Sequence, residues 1–229
     1  MTLDTPHARF SAAFPRGSLK AFRKVLRRLP FYGAIKSLGH YPDYWYWKLR
    51  PAPVRAPHLV KQRAVRAYAN RYGLRTFIET GTYYGEMVAA LKHDFDRIFS
   101  VESDHALAER AARLFARQPH IRVLEGPSEQ IIPELLKSLD EPALFWLDAG
   151  YYTWDNLPRD RERLPIELAA IFGHAVRGHV VLVDDAGTLR FRAADQKEPA
   201  SIAKLQANLA AAFPDRRVEI LHNIIRITP

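Results

Sequence analysis

The sequence predicts an α/β fold: a mostly parallel seven-stranded sheet with helices on both faces and an antiparallel strand pair at its end, preceded by a helical basic arm. Three observations predict it. From Thr76 onward, short apolar runs alternate with longer segments of helical periodicity, the pattern of parallel strands buried on both faces by crossover helices. That alternation then stops, because Arg217–Leu221 and Ile224–Ile227 are separated only by His222-Asn223, a link that permits a hairpin and no crossover. Finally, the 229 residues divide by charge. Through Arg75 there are 16 Lys/Arg and two acids, a charge of +14, whereas from Thr76 on there are 18 basic and 23 acidic residues, a charge of −5. The overall +9 therefore belongs to the arm.

Composition removes several classes. With no cysteine, disulfides, thiol nucleophiles, Cys-ligated zinc and iron–sulfur clusters are excluded. No apolar run approaches the ~18 residues that argue a membrane span, and Met1–Lys20 lacks the apolar stretch of a signal peptide, so a cytoplasmic protein is expected.

In chain order, the first eighteen residues mix Pro, Gly, Ser and Thr and predict loose chain. Residues 18–29 place Leu19, Phe22, Val25, Leu26 and Leu29 at helical spacing until Pro30 stops them. An aromatic cluster at Tyr41–Trp47 is followed by Pro51, Pro53 and Pro57, which break regular structure. A second helix is predicted from about Pro57 to Tyr72, with Gly73 as its stop. The domain boundary is accordingly set at 56/57. Strands are predicted at Thr76–Glu79, Arg97–Val101, Ile121–Leu124, Ala143–Leu147 and Val180–Val183, with helices near 85–93, 104–118, 128–139 and 160–176 between them. A helix over about 200–213 leads to the final strand pair.

In an open parallel sheet, ligands bind outside the carboxyl ends of the strands, where strand order reverses, so the strand ends carry the chemistry. The first ends in Glu79-Thr-Gly-Thr-Tyr-Tyr-Gly85. Gly81 permits a sharp turn and close approach to a ligand, and Gly85 opens a helix. Glu79 stands where dinucleotide enzymes have their first glycine, and an acid there suits a cationic or hydrogen-bond-donating group rather than a pyrophosphate. Glu102 ends the second strand, where a carboxylate can accept from both ribose hydroxyls. Gly126 turns the chain after the third strand, and Ser128 can either cap the next helix or bond an adenine edge. Asp148 ends the fourth strand and Asp184-Asp185 the fifth. Three carboxylates on one rim repel unless a cation sits among them, and hard oxygen donors suit Mg²⁺.

Taken together, the chain from about Pro57 to Pro229 resembles class I S-adenosylmethionine-dependent methyltransferases, a Rossmann-like family. Phe77–Gly85 looks like the family's first motif, Glu102 matches its ribose-binding acid, and Gly126-Pro-Ser-Glu-Gln-Ile-Ile-Pro133 resembles the adenine-side turn of catechol-type O-methyltransferases. Asp148, Asp184 and Asp185 match their Mg²⁺ ligands, and the Asp pair is similar to that of macrocin-type sugar O-methyltransferases. The resemblance implies S-adenosylmethionine as cofactor, bound by Glu79, Gly81, Thr82, Tyr83, Gly85, Glu102, Gly126, Ser128 and Asp148. It further implies Mg²⁺-assisted O-methylation of a hydroxylated small molecule or glycan, with Asp148, Asp185 and Tyr151 as the catalytic groups. Two departures stand out: Pro127 replaces an acid found in several relatives, and Tyr151 stands where catechol-type enzymes carry a basic lysine.

The arm interleaves ten aromatics with Lys and Arg between Phe10 and Trp47. A cap or substrate-covering lid is the first reading, and peripheral contact with an anionic membrane through the 18–29 helix is the second. Nucleic acid ranks last, because a polyphosphate is repelled by an acidic domain. A homodimer is compatible with the sequence. Two alternatives to the O-methyltransferase reading are kept: a non-catalytic nucleotide-binding module that uses its arm for a partner, and an RNA methyltransferase. The second lacks an N/D-P-P-Y-type motif, since Leu147-Asp-Ala-Gly-Tyr151 follows the fourth strand.

Overall fold

A computed structural model describes residue 48 and residues 56–148, 160–186 and 202–229. The expected arm helix, the residues around the 56/57 boundary on its arm side, and Tyr151 lie outside the described residues.

The described elements, in order, are α1 (His58–Tyr72), β1 (Thr76–Thr80), α2 (Glu86–Leu91), β2 (Arg97–Glu102), α3 (His105–Leu114), β3 (Ile121–Glu125) and α4 (Ser128–Leu136). They continue with β4 (Ala143–Leu147), α5 (Asp160–Gly173), β5 (Val180–Val183), α6 (Ile202–Ala212), β6 (Arg217–Leu221) and β7 (Ile224–Thr228). One seven-stranded sheet runs β3-β2-β1-β4-β5-β7-β6. Its first five strands are parallel, and β7 pairs antiparallel with both β5 and β6. This is the expected mixed sheet, with the strand order reversing between β1 and β4.

The period-2 geometry of strands sorts alternate residues onto two faces. Ile78, Phe145, Leu147, Val181 and Val183 pack on one side with Ile132 of α4, Leu168 of α5 and Leu205 of α6. Phe77, Leu144, Trp146, Val180 and Leu182 pack on the other with Val65 of α1, Val88 of α2 and Ala111 of α3. β4 and β5 are therefore apolar on both faces, which is why they read as unbroken apolar runs. Burial of each large side chain contributes about 1.5–3 kcal/mol.

Local signals set the ends of the helices. Gly73 closes α1 in the left-handed region at φ 64°, with its N–H bonded to the last turn. Asp104 caps α3 by accepting from the Leu107 N–H. The β6–β7 link places both His222 and Asn223 at positive φ, 56° and 63°, the conformation that a two-residue hairpin matched to strand twist requires.

Candidate functional site

The residues expected to carry chemistry meet at the carboxyl ends of β1, β2, β4 and β5, beside the reversal between β1 and β4. β1 delivers Glu79 and then turns at Gly81, φ 81°. The Gly81 and Thr82 N–H groups donate to the Val101 carbonyl at 2.9 and 3.3 Å, tying the turn to β2. A Cβ on Gly81 would stand 3.3 Å from Asp148 Cβ, and one on Gly85 only 2.9 Å from the Phe115 ring. Both glycines are thus required by close approach as well as by their positive φ.

Tyr83 also sits in the left-handed region, at φ 49°, and the turn exposes its ring at the lip of the site. Its N–H donates to Glu102 Oε2 at 2.7 Å, and the Asp104 N–H donates to Oε1 at 3.0 Å. Glu102 is buried, so each carboxylate oxygen is oriented by one backbone donor and retains a lone pair for another.

Behind the turn lies a buried polar chain. Ser100 Oγ donates to Glu79 Oε1 at 2.5 Å, leaving the Thr82 hydroxyl to donate to Ser100 across 2.6 Å. Burial pushes the Glu79 carboxyl up to about 8 against the pull of the Ser100 hydrogen bond, and the charges of Asp148 and Glu102 add to the rise. Near neutrality Glu79 is therefore mostly a neutral acid.

The other half of the rim is arranged differently from the expectation. Asp184 is buried, and its Oδ2 pairs with the Lys61 ammonium from α1, while its Oδ1 accepts from the Asp185 N–H at 2.8 Å. Asp185 adopts φ 54°, and its Oδ1 accepts from Asn223 Nδ2 at 3.2 Å. Asp148 lies against the Gly81 turn. The acids thus divide into an Asp148 half facing β1 and an Asp184-Asp185 half held by Lys61 and Asn223. Among the described residues, no three His, Asp or Glu side chains are grouped to hold a metal ion. Asp148, Asp184 and Asp185, the expected Mg²⁺ set, are not gathered into one such group: Asp184 is paired with Lys61, and Asp185 accepts from Asn223. Burial raises the proton affinity of Asp184, and Lys61 opposes that rise.

An open cleft of about 200 Å³ joins these parts, lined by Lys61, Glu79, Gly81, Thr82, Tyr83, Asp148 and Asp184 together with His58, Tyr84, Glu86, Met87 and Trp146. Glu102 stands at the adjoining strand end. Asp185 does not line the cleft. Gly126, at φ 143°, donates its N–H to the Glu102 carbonyl at 2.9 Å and holds the third strand's turn against the second. Pro127, not Ser128, occupies the cap position of α4, and the Ser128 side chain is buried and hydrogen-bonded with Glu167 of α5. Lys61 and Ser100 were not singled out in the sequence: a lysine within an amphipathic helix and a serine inside a strand carry no local signal. His58 was expected to approach the site only by folding over it, and it lines the cleft.

No family model and no curated protein matches the chain. Solved structures do. The chain is similar to the O-methyltransferase from Bacillus cereus in complex with S-adenosylhomocysteine, at 14% identity and a TM-score of 0.53 over 96% of this chain and 94% of that one. An O-methyltransferase from Streptomyces achromogenes involved in tomaymycin synthesis, solved with S-adenosylmethionine, matches at 16% identity and 0.52 over 78% and 82%. A methyltransferase from Podospora anserina, solved with S-adenosylhomocysteine, matches at 14% and 0.53 over 94% and 97%. The fold is that of class I methyltransferases. The chain shares the fold of these solved methyltransferases, and its sheet ends in the antiparallel β6–β7 pair expected from the sequence. Among the described residues, no helix is long and apolar enough to cross a membrane.

Proposed function

We propose that this protein is an S-adenosylmethionine-dependent methyltransferase acting on a hydroxyl of a small molecule or sugar. The observation that carries the reading is Glu102. A buried carboxylate at the end of β2, beside a glycine turn, with each oxygen already oriented by a backbone N–H, suits the paired hydroxyls of a ribose. The donor set around it is consistent with the rest of the cofactor. Glu79 and Asp148 present oxygen atoms, not cations, to the cleft, which suits a sulfonium and an ammonium and opposes a pyrophosphate. Three chains of the same fold, matched over 82%, 94% and 97% of their lengths, were solved with S-adenosylmethionine or S-adenosylhomocysteine.

When bound, the cofactor supplies an electrophilic methyl carbon on a sulfonium, so that an O–C bond forms as the C–S bond breaks and the acceptor hydroxyl releases its proton. The protein's share is alignment and exclusion of water. Gly81 lets the backbone turn approach closely, Thr82 and Ser100 fix Glu79, and Glu102 anchors the ribose end. Asp148 and Asp184 are the carboxylates placed along the cleft to accept the proton. In this proposal no step runs through a divalent ion, since Asp184 is paired with Lys61 and Asp185 with Asn223.

Calorimetric titration of the full chain with S-adenosylhomocysteine, with Mg²⁺ and again with EDTA, tests the reading. One site of equal affinity in both conditions is expected. Absence of binding in both overturns it.

A further inference from the structure

Asp184, the rim acid at the end of β5, already has a cation, and it is part of the chain. Lys61 reaches Asp184 across 123 positions of sequence. The pair is enclosed: the Lys61 and Asp184 side chains are 19% and 6% exposed. A carboxylate this buried is costly without a compensating charge. Its second oxygen is taken by the Asp185 N–H, Asp185 is tied to Asn223, and Asp148 lies against Gly81. A metal entering here would have to displace an ammonium at hydrogen-bond distance, and like charges so close repel strongly at low local dielectric. The ammonium meanwhile lines the same cleft as Glu79 and Asp148, where it can do what a metal would otherwise do: neutralise Asp184 and direct an oxygen through an N–H.

We propose that Lys61 takes the place of a divalent ion in this site, excludes Mg²⁺ from it, and holds the acceptor oxygen in its stead. The proposal rests on the methyltransferase reading. Lys61 donates a hydrogen bond and keeps its own protons. The hydroxyl proton passes to the Asp184 carboxylate as the O–C bond forms and the C–S bond to the sulfonium breaks, leaving a neutral thioether.

The test uses Mn²⁺ alone, followed by the electron paramagnetic resonance of the free ion, with the full chain. The wild type is expected to show no Mn²⁺ site that Asp184→Asn removes. Lys61→Met should bind one Mn²⁺ at least about tenfold more tightly than the wild type, and adding Asp184→Asn should abolish the gain. Lys61→Arg, which keeps the charge, should behave as the wild type. A wild-type site lost in Asp184→Asn, a Lys61→Met protein that binds no more tightly, or Mn²⁺ uptake by Lys61→Arg each overturns the proposal. Circular dichroism checks folding, and Lys61→Gln replaces Lys61→Met if the latter does not fold. Wild-type titration with S-adenosylhomocysteine separates the two ideas: its failure removes the methyltransferase reading and leaves the Mn²⁺ result standing.

Discussion

Replacing Glu79 with Gln should stabilise the protein at neutral pH and flatten its pH dependence. Glu79 is 2% exposed, and burial raises its carboxyl from 4.5 to about 8. The folded chain thus holds a proton that the unfolded chain gives up above about 4.5. The resulting stability is complete below that pH and is lost as pH rises through about 8. Each pH unit inside the window costs about 1.4 kcal/mol, so the loss by about pH 7 is on the order of 3 kcal/mol. That is a large part of the roughly 5–15 kcal/mol that holds an ordinary domain together. Gln keeps an oxygen to accept from Ser100 and has no proton to lose. Urea unfolding of both proteins at intervals from about pH 5 to pH 8 reads the effect. The gap should widen in favour of the Gln protein by about 1.4 kcal/mol per unit, while the titration of Asp184 cancels between the two. A gap that stays constant over this range refutes the reasoning.

Two further outcomes follow from the same structure. His179 is fully buried, its Nδ1 accepts from the Ala143 N–H at 3.1 Å, and burial, with the neighbouring His174 next in weight, lowers its proton affinity to about 4. Its contribution is therefore present above 6.5 and lost as pH falls toward about 4. His179→Gln should recover on the order of 3 kcal/mol on that acid limb, read from thermal melts at stepped pH. Gly85→Ala forces a Cβ to 2.9 Å from the Phe115 ring at φ 73° and should cost about 2–3 kcal/mol in urea unfolding.

β4 and β5 were legible because they are buried on both faces, so apolar side chains fill every position and no polar alternation blurs the run. The hairpin was legible because two residues leave the chain no other connection. Glu79, Gly81 and Glu102 could be picked out as candidates because a parallel sheet offers its binding crevice at strand ends, and strand ends are readable. The Lys61–Asp184 pair could not be found that way. Its partners are brought together only by the packing of α1 on the sheet, and a lysine on an amphipathic helix looks the same whether it meets water or a buried acid. The Ser128–Glu167 contact was out of reach for a similar reason, since it joins α4 to α5, which is distant in sequence. The rim aspartates were located correctly, but the direction of each carboxylate depends on the positive φ of Asp185 and on the far hairpin, neither of which is encoded beside them.

The placement of β7 has a consequence for how the chain reaches this state. Val180–Val183 is wholly apolar, and one of its two edges is satisfied only by β7, which arrives some forty residues later. Until the hairpin docks, that edge offers unpaired N–H and C=O groups along a sticky strand, a template for pairing with another unfinished chain. The His222-Asn223 turn therefore guards solubility as well as geometry. Damage to it would surface first as aggregated protein and only afterwards as a disturbed cleft.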